Sequence, residues 1–574
     1  MSLSISLVLL AAVPVFQGSA EAPSDDPPLL HALEAELTRS MEGLKDRESD
    51  PLYFLAYRAT ETRSLNIAGS YGALLRSSRS HGRRLDVEAR VGAPTLDSTH
   101  QIRGEFEFGA SPSSATLPVD DDEAAVRAAA WSATDRAYKA ALQRFLKVKT
   151  NEQVKVEAED PSPDFSLEQP SDYREATVDI LVDDESWNER VRRLSAIFQE
   201  YKFLHSGVVA LSAEAENRFY VSSEGTKLIF GRTHLRLSIE ASCVAEDGME
   251  LRLFDSFEGP TDDTMPDDAR IEAAIKVLAD RLGQLREAPI VEPYAGPAII
   301  MNRACGVFFH EIFGHRIEGH RQKNVDEGQT FTKKINTEVM PTFLSVTDDA
   351  TRRKFAGTYL NGFYKYDDEG VPAQPVALVE NGILKSFLMA RSPIEGFPRS
   401  NGHGRCSQGN APVSRQGNLF VNATDRVTFV RLREMLIEEI QRQEKPYGLI
   451  FHDISGGFTT TQRQGPQAFK VIPLFVVRVY PDGRDDEVVR GVDLVGTPLA
   501  SITKMIAAAD DDAVFNGSCG AESGWVPVSA VSPSVLVSEM EIEKKAKSQE
   551  RPPLLPTPLF DEDAERTGGE GEGN

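Results

Sequence analysis

The stretch Gly306-Val307-Phe308-Phe309-His310-Glu311-Ile312-Phe313-Gly314-His315-Arg316-Ile317-Glu318-Gly319 begins apolar, ends charged, and carries two histidines and two glutamates at its centre. Neutral imidazoles are common zinc ligands, and a carboxylate beside one of them is placed to act as a base toward water. The familiar form of this device sets its histidines at i and i+4, roughly 40° apart around an ideal helix. Here the spacing is i and i+5, which on a regular helix separates the side chains by about 140° and about 7.5 Å along the axis. Imidazoles so splayed cannot share one ion at Zn–N distances of about 2.0–2.1 Å. The backbone is therefore expected to bend or bulge between His310 and His315, with Gly314 as the residue that permits it. Three of the chain's ten histidines fall between 310 and 320, which favours a metal over a chance cluster.

Around this motif the chain has the composition of an ordinary globular protein. Its 574 residues are 40% hydrophobic and 26% charged, enough for a large core and for two or three domains. A net charge of −25 without a useful Lys/Arg cluster argues against nucleic acid as a partner. Residues 5–16 form an apolar run too short to span a bilayer, followed by Gly18-Ser19-Ala20, residues of the kind a signal peptidase accepts. This predicts an export signal over 1–20, cleaved near Ala20, and a periplasmic protein; a mis-assigned start would leave it cytoplasmic. No later segment reaches the length of a membrane span. The four cysteines, Cys243, Cys305, Cys406 and Cys519, form no C-x-x-C pair, so each is better considered as a thiolate ligand than as part of a disulfide framework.

The periodicities predict helices at 29–45, 123–146, 185–201 and 267–286, and strands at 53–60, 207–215, 218–223 and 235–239. A Pro-containing joint at 290–297 leads to an apolar strand at 297–301 and then to the histidine helix. Asn381-Gly382 inside 376–387 signals a hairpin, and 471–480 with 487–494 across Pro481-Asp482-Gly483 signals a second. The expected fold class is α+β. An N-terminal α/β-layered domain, 21–290, precedes a mainly antiparallel β domain, 296–545, that carries the metal-binding helix; a Pro-, Glu- and Gly-rich tail, 546–574, is expected to be disordered.

A catalytic zinc takes three protein ligands and leaves a fourth position open. His310 and His315 supply two, and the residues leave Glu318, His320 and a distant cysteine as candidates for the third. Glu318 can equally orient a histidine from behind. Cys519, within Phe515-Asn516-Gly517-Ser518-Cys519-Gly520, sits in an expected turn whose small neighbours leave its sulfur unobstructed.

The block from Ala304 to Gly319 resembles the signature of the TldD/PmbA metallopeptidases, whose metal motif is HExxxH. Three further blocks resemble the family in the same order: Tyr366-Asp367-Asp368-Glu369-Gly370 with Leu378 to Lys385, Ser400-Asn401-Gly402-His403-Gly404-Arg405, and Asn516-Gly517-Ser518-Cys519-Gly520. The resemblance covers 296–545. It implies Zn2+ held by His310, His315 and Cys519, with Glu311 as general base, in the metal-bearing TldD type rather than its ligand-less partner. It also implies hydrolysis of unfolded or short peptides by a homodimer, or by a heterodimer with a TldE/PmbA-like paralogue. His403 and Arg405 are candidates for substrate binding and for stabilising the oxyanion, with Tyr364 or Tyr366 assisting. Hydrolysis of a non-peptide amide and a catalytically inactive peptide-binding subunit are the competing readings; intact Glu311, His310 and His315 weigh against the second.

Overall fold

The computed structural model describes residues 26–47, 50–102, 112–152, 160–463, 465 and 468–545. The expected signal at 1–20 and tail at 546–574 lie outside the described residues.

Long antiparallel strands dominate the N-terminal half. Leu52–Ser70 turns through Tyr71 and Gly72, both at positive φ (47° and 83°), into Ala73–Ala93, a two-residue connection whose twist matches that of the strands. Leu52–Ser70 also pairs with Ser206–Ser222, which pairs with Lys227–Val244 and then Glu250–Gly259. The two pieces expected at 207–215 and 218–223 are thus one strand. The polar interruption at Asn217 does not break it, because this buried amide accepts from Val178 N and donates to Val178 O. Ala73–Ala93 escaped the sequence reading because its first half is exposed on both faces and shows no alternation.

Helices cover one face of this eight-stranded sheet. Asp184–Ala196 starts where Asp183 accepts from Glu185 N and Ser186 N, and Asp268–Glu287 starts where Asp267 accepts from Arg270 N. Ile271, Ile275, Leu278, Leu282 and Leu285 form the second helix's buried stripe, at the 4,3,4,3 spacing of an amphipathic helix. Their core continues without a break into Ile299, Ile450, Phe475 and Leu536 of the C-terminal half, so the joint near 290 is packed through.

The C-terminal half contains a closed ring of five strands. Gly448–Thr459 pairs with Tyr294–Ile300, which pairs with Val535–Lys544, then Val492–Gly496, then Phe469–Val479, which returns to Gly448–Thr459. A six-stranded sheet lies opposite, ending in Asn418–Ala423, Gly524–Ser532 and the edge strand Ala513–Ala521. Helix Asn302–Ile312 is clamped between ring and sheet, and every residue from Ala304 to Ile312 is buried. The helix is apolar except on the side of His310 and Glu311, which opens on a cavity rather than on packed core. Gly306 allows the close approach: a Cβ there would stand 3.1 Å from Ala530. Both expected hairpins form, the first with Asn381 and Gly382 at φ 46° and 81°.

Buried charges join the halves. Arg391 donates to Ser166 O and pairs with Glu224, while Arg218 pairs with Asp368 and Arg58 donates to Asp368 O. Glu369 accepts from Arg391 N, and Asp367 accepts from Glu369 N, Val371 N and Gly404 N. Burial pushes Asp367 up to about 7 and Glu369 up to about 8, with the Asp368 charge adding to the first and the Asp367 charge to the second. Three N–H donors oppose the rise at Asp367 and one, from Arg391, opposes it at Glu369. These folded-state values exceed the ordinary carboxyl value of about 4, so the stabilisation is complete below that pH and is lost as pH rises through about 7–8. The melting temperature of the full chain is expected to fall between about pH 5 and pH 9, with a shallower slope in Glu369→Gln; equal slopes by calorimetry would contradict this.

Candidate metal centre

The histidine helix ends one residue before the expected bend. Phe313, at φ −117° and ψ −52°, leaves α geometry, and Gly314–Arg316 winds on as a single 3-10 turn. His310 therefore lies on the last α turn and His315 on the tighter one, with ring centroids 5.0 Å apart and planes at 78°. The bend is present, but Gly314 serves it differently from expectation. Its φ is not in the left-handed region; instead the Gln416 side chain fills the place of a Cβ, which would stand 2.0 Å from Gln416 Oε1. Arg316 holds the frayed end by donating to Glu311 O, Thr459 Oγ1 and Thr460 O.

Cys519 arrives from a strand, not from the turn expected at 515–520. Ala513–Ala521 pairs residue for residue with Gly524–Ser532, and the tight loop comes later, at Glu522 and Ser523. Gly520 makes room for the Trp525 indole, which lies 3.0 Å from where its Cβ would be. Alternation along the strand turns Cys519 inward, toward the histidines.

The ligand atoms of His310, His315 and Cys519 all lie within 4.8 Å of one another, and the three residues are buried. Cys519 Sγ stands 3.4 Å from His315 Nε2. Tetrahedral zinc with Zn–N of about 2.0–2.1 Å and Zn–S of about 2.3 Å sets such neighbours about 3.5 Å apart, so the donor set fits a metal ion of that kind. Burial pushes the Cys519 thiol up, but His315, His310 and Arg415 outweigh it and hold the group well below its ordinary value. Burial likewise lowers both imidazoles, and the adjacent thiolate reverses the direction, so protons compete with a metal for this site.

Glu318 and His320, the other candidate ligands, stand outside the cluster. Glu318 is fully buried, with a carboxylate oxygen 3.3 Å from His315 Nδ1, where it sets the ring's orientation. Burial pushes it up, but His315 and Arg321 hold it down at about 2. His320 Nε2 instead faces Glu522. Glu318 accepts from Arg321 Nε at 2.8 Å, and Arg415 Nε forms an ion pair with its other oxygen at 3.5 Å. Arg415, fully buried, also donates to Cys519 O at 2.6 Å and to Ser523 Oγ at 2.7 Å. One guanidinium thus connects the carboxylate behind His315 to the strand bearing Cys519. Sequence reasoning missed it, because nothing in the spacing of Arg415 marks partners about a hundred residues away in either direction.

Glu311 opens onto the same space as the cluster. Burial raises its carboxyl above the ordinary value, with His310 and His315 opposing. Gly457 clears its path: a Cβ there would lie 3.0 Å from Glu311 Cγ. The cavity holds about 1550 Å³ and takes walls from both halves, among them His100 and Asp164 on one side and Gly457 and Trp525 on the other. Two strand edges face it, Ala513–Ala521 and the outer side of 453–459, neither with a partner strand on that side among the described residues.

The structure does not bring His403 or Arg405 to the cluster. His403 is wholly buried, with Nε2 3.3 Å from Asp348 and Nδ1 3.0 Å from Asn401 O, and it does not line the cavity. Arg405 lies 4.7 Å over the Tyr364 ring, donates to Gln416 O and lines a second cavity. Tyr364 donates to Gly402 O, and Tyr366 packs on Tyr173 and Phe230.

Residues 294–544 match the PmbA/TldA metallopeptidase C-terminal domain. A Metalloprotease of Archaeoglobus fulgidus is 30% identical over 249 residues, covering 43% of this chain and 53% of that protein. Metalloprotease MJ0996 of Methanocaldococcus jannaschii is 27% identical over 313 residues, covering 54% and 64%. The chain thus spans between about half and two thirds of the length of these curated relatives. The crystal structure of TldE from Thermococcus kodakarensis shares the fold with a TM-score of 0.59 at 14% identity, over 89% of this chain and 100% of that one.

Arg415→Met and Glu318→Gln should each weaken metal binding about 10–100-fold, as loss of supporting groups behind metal ligands commonly does. Chelator competition on the purified chain measures this. Undiminished affinity in both variants would mean that the histidine and cysteine are positioned by something else.

Proposed function

On the premise that residues 294–544 belong to the PmbA/TldD metallopeptidase C-terminal domain family, we propose that this chain is a zinc-dependent peptidase. His310, His315 and Cys519 hold the ion, and Glu311 is the general base. The observation that carries this reading is the convergence of three donor atoms within 4.8 Å, beside a buried carboxylate open to the same cavity. Zinc at that place supplies a Lewis acid, polarising the scissile carbonyl and making a water molecule acidic enough to attack near neutral pH. Glu311, raised by burial, takes the proton from the attacking water and returns it to the leaving amine. Glu318 keeps His315 turned toward the ion, and Arg415 keeps Cys519 at its distance.

The substrates are unfolded or short peptides. An extended chain can pair with the free edge of Ala513–Ala521 through main-chain hydrogen bonds, which confers tolerance of sequence and lays the scissile bond across the cluster. The walls of the cavity exclude a folded domain from the cluster. A dimer, with an identical chain or a TldE/PmbA-like paralogue, is part of the same proposal, and the fold shared with TldE supports it. Export to the periplasm is a further part, tested by locating the protein after cell fractionation.

Purified wild-type chain should contain about one zinc per site, and Cys519→Ser should lose it. Glu311→Gln should keep the metal while peptide hydrolysis falls by about 10²–10⁴-fold. Full zinc occupancy in Cys519→Ser, or an unchanged rate in Glu311→Gln, would remove the assignment. Because the thiolate raises both imidazoles, metal binding must expel protons, so zinc affinity should climb as pH increases from about 5 to 8.

A further inference from the structure

A second cavity, of about 590 Å³, lies on the opposite side of the cysteine-bearing strand from the metal cluster. Cys519 packs inward with Val526 and Val528, whereas Ser518, with Trp525 and Pro527 of the paired strand, faces the second cavity. Ser518, Trp525 and Arg236 line both spaces, so the two cavities meet around the strand's free edge. The two-residue loop between Ala521 and Gly524 sets the register of this hairpin. In that register the main-chain groups of Ser518 and Gly520 point away from the partner strand, toward the open edge.

Three arginines that line the second cavity stand outside any ion pair among the described residues. Of its cationic lining residues, Arg58, Arg218, Arg236 and Lys365 each stand against a carboxylate. Arg232, Arg353 and Arg405 have no carboxylate within ion-pair distance among the described residues, and Glu214 is the one lining carboxylate with neither an ion pair nor a hydrogen bond there. Arg405 is buried, and Arg232 projects from the polar face of the N-terminal sheet that forms the far wall. Guanidinium groups with no carboxylate in direct contact keep their planar forks open to one, and that fork matches a carboxylate.

A peptide paired with the Ala513–Ala521 edge presents alternate side chains to opposite faces, one set to the metal cluster and the other to this cavity. We propose that the cavity is a specificity pocket for an acidic side chain, Asp or Glu, of the extended peptide bound along that edge, with Arg232 and Arg405 as its carboxylate partners. This inference rests on the peptidase reading and names the class of peptide that the site prefers.

The test reads binding apart from hydrolysis. Glu311→Gln full-length chain is titrated with end-blocked, fluorescent peptides that differ by Glu, Gln or Lys at one position, walked along an otherwise uncharged sequence. Glu should bind about tenfold or more tightly than Lys at positions spaced two apart, the scale of one charge-assisted hydrogen-bonded pair. Adding Arg232→Gln should bring that ratio close to one. Arg353→Glu, at the exposed rim, should lower it without disturbing the buried wall. Equal affinities at every position, or a Glu preference untouched by both substitutions, overturns the pocket. A wild-type, zinc-loaded chain that binds acidic peptides and cleaves none leaves the pocket standing and removes the hydrolase. No peptide binding at all overturns both.

Discussion

The contact between buried Arg415, the Glu318 carboxylate and the Cys519 carbonyl is the constraint on which the centre depends. His315 and Cys519 lie 204 residues apart, on a 3-10 turn and on a strand of a different layer, and their ligand atoms must come to about 3.5 Å of each other. Side-chain packing alone does not hold two layers to that tolerance at a polar site. A guanidinium that touches both sides does, through directional hydrogen bonds to Cys519 O and Ser523 Oγ on the strand and an ion pair with Glu318 behind the histidine. Arg415 is fully buried and has no other ion pair among the described residues, so removing the Glu318 charge leaves its guanidinium unpaired and without water, at a cost of about 3–5 kcal/mol. The same charges lower the thiol and orient the imidazole, so the structural support and the chemistry of the centre share one set of groups.

Architecture places this arrangement where it can act. The five-stranded ring and the six-stranded sheet hold a helix whose side bearing His310 and Glu311 is left open to the cavity, and the helix gives way at Phe313, between the two histidines. Three glycines serve clearance rather than flexibility: Gly306 against Ala530, Gly314 against Gln416 and Gly457 against Glu311. The N-terminal sheet contributes a polar face to both cavities, and Arg391, Arg218 and Arg58 hold it against the C-terminal half. An open strand edge beside the cluster is tolerable because it faces a cavity and not the outer surface, where the sheet edges of other folded proteins would meet it.

The residues that were legible in advance owe it to local physics. Helix periods predict the N-terminal helices, although Glu123–Glu152 runs on past its expected end at 146, and Asn381-Gly382 predicts its hairpin because only positive φ at both positions makes that turn. The i, i+5 spacing of His310 and His315 demands a break in the helix, since a regular one would splay the rings. Strand lengths were less legible: Leu52–Ser70 extends well past its expected end because cross-strand pairing on both sides carries residues whose own pattern is polar. Cys519 lies in a strand rather than a turn for the same reason. Its glycines and polar neighbours suit a loop in isolation, but Gly524–Ser532 supplies a ladder and Trp525 supplies the packing.

By itself the sequence determined the α+β class, the paired histidines with the bend between them, and the donor types available, because these follow from spacing and side-chain chemistry within a few residues. Only the tertiary structure decided that Glu318 stands behind His315, that His403 turns to Asp348 while Arg405 reaches a separate cavity, and that Arg415 joins the two ligand-bearing elements. Those outcomes depend on which buried charges and hydrogen-bonding groups satisfy one another across the fold. Partners a hundred or more residues apart leave no periodic trace along the chain.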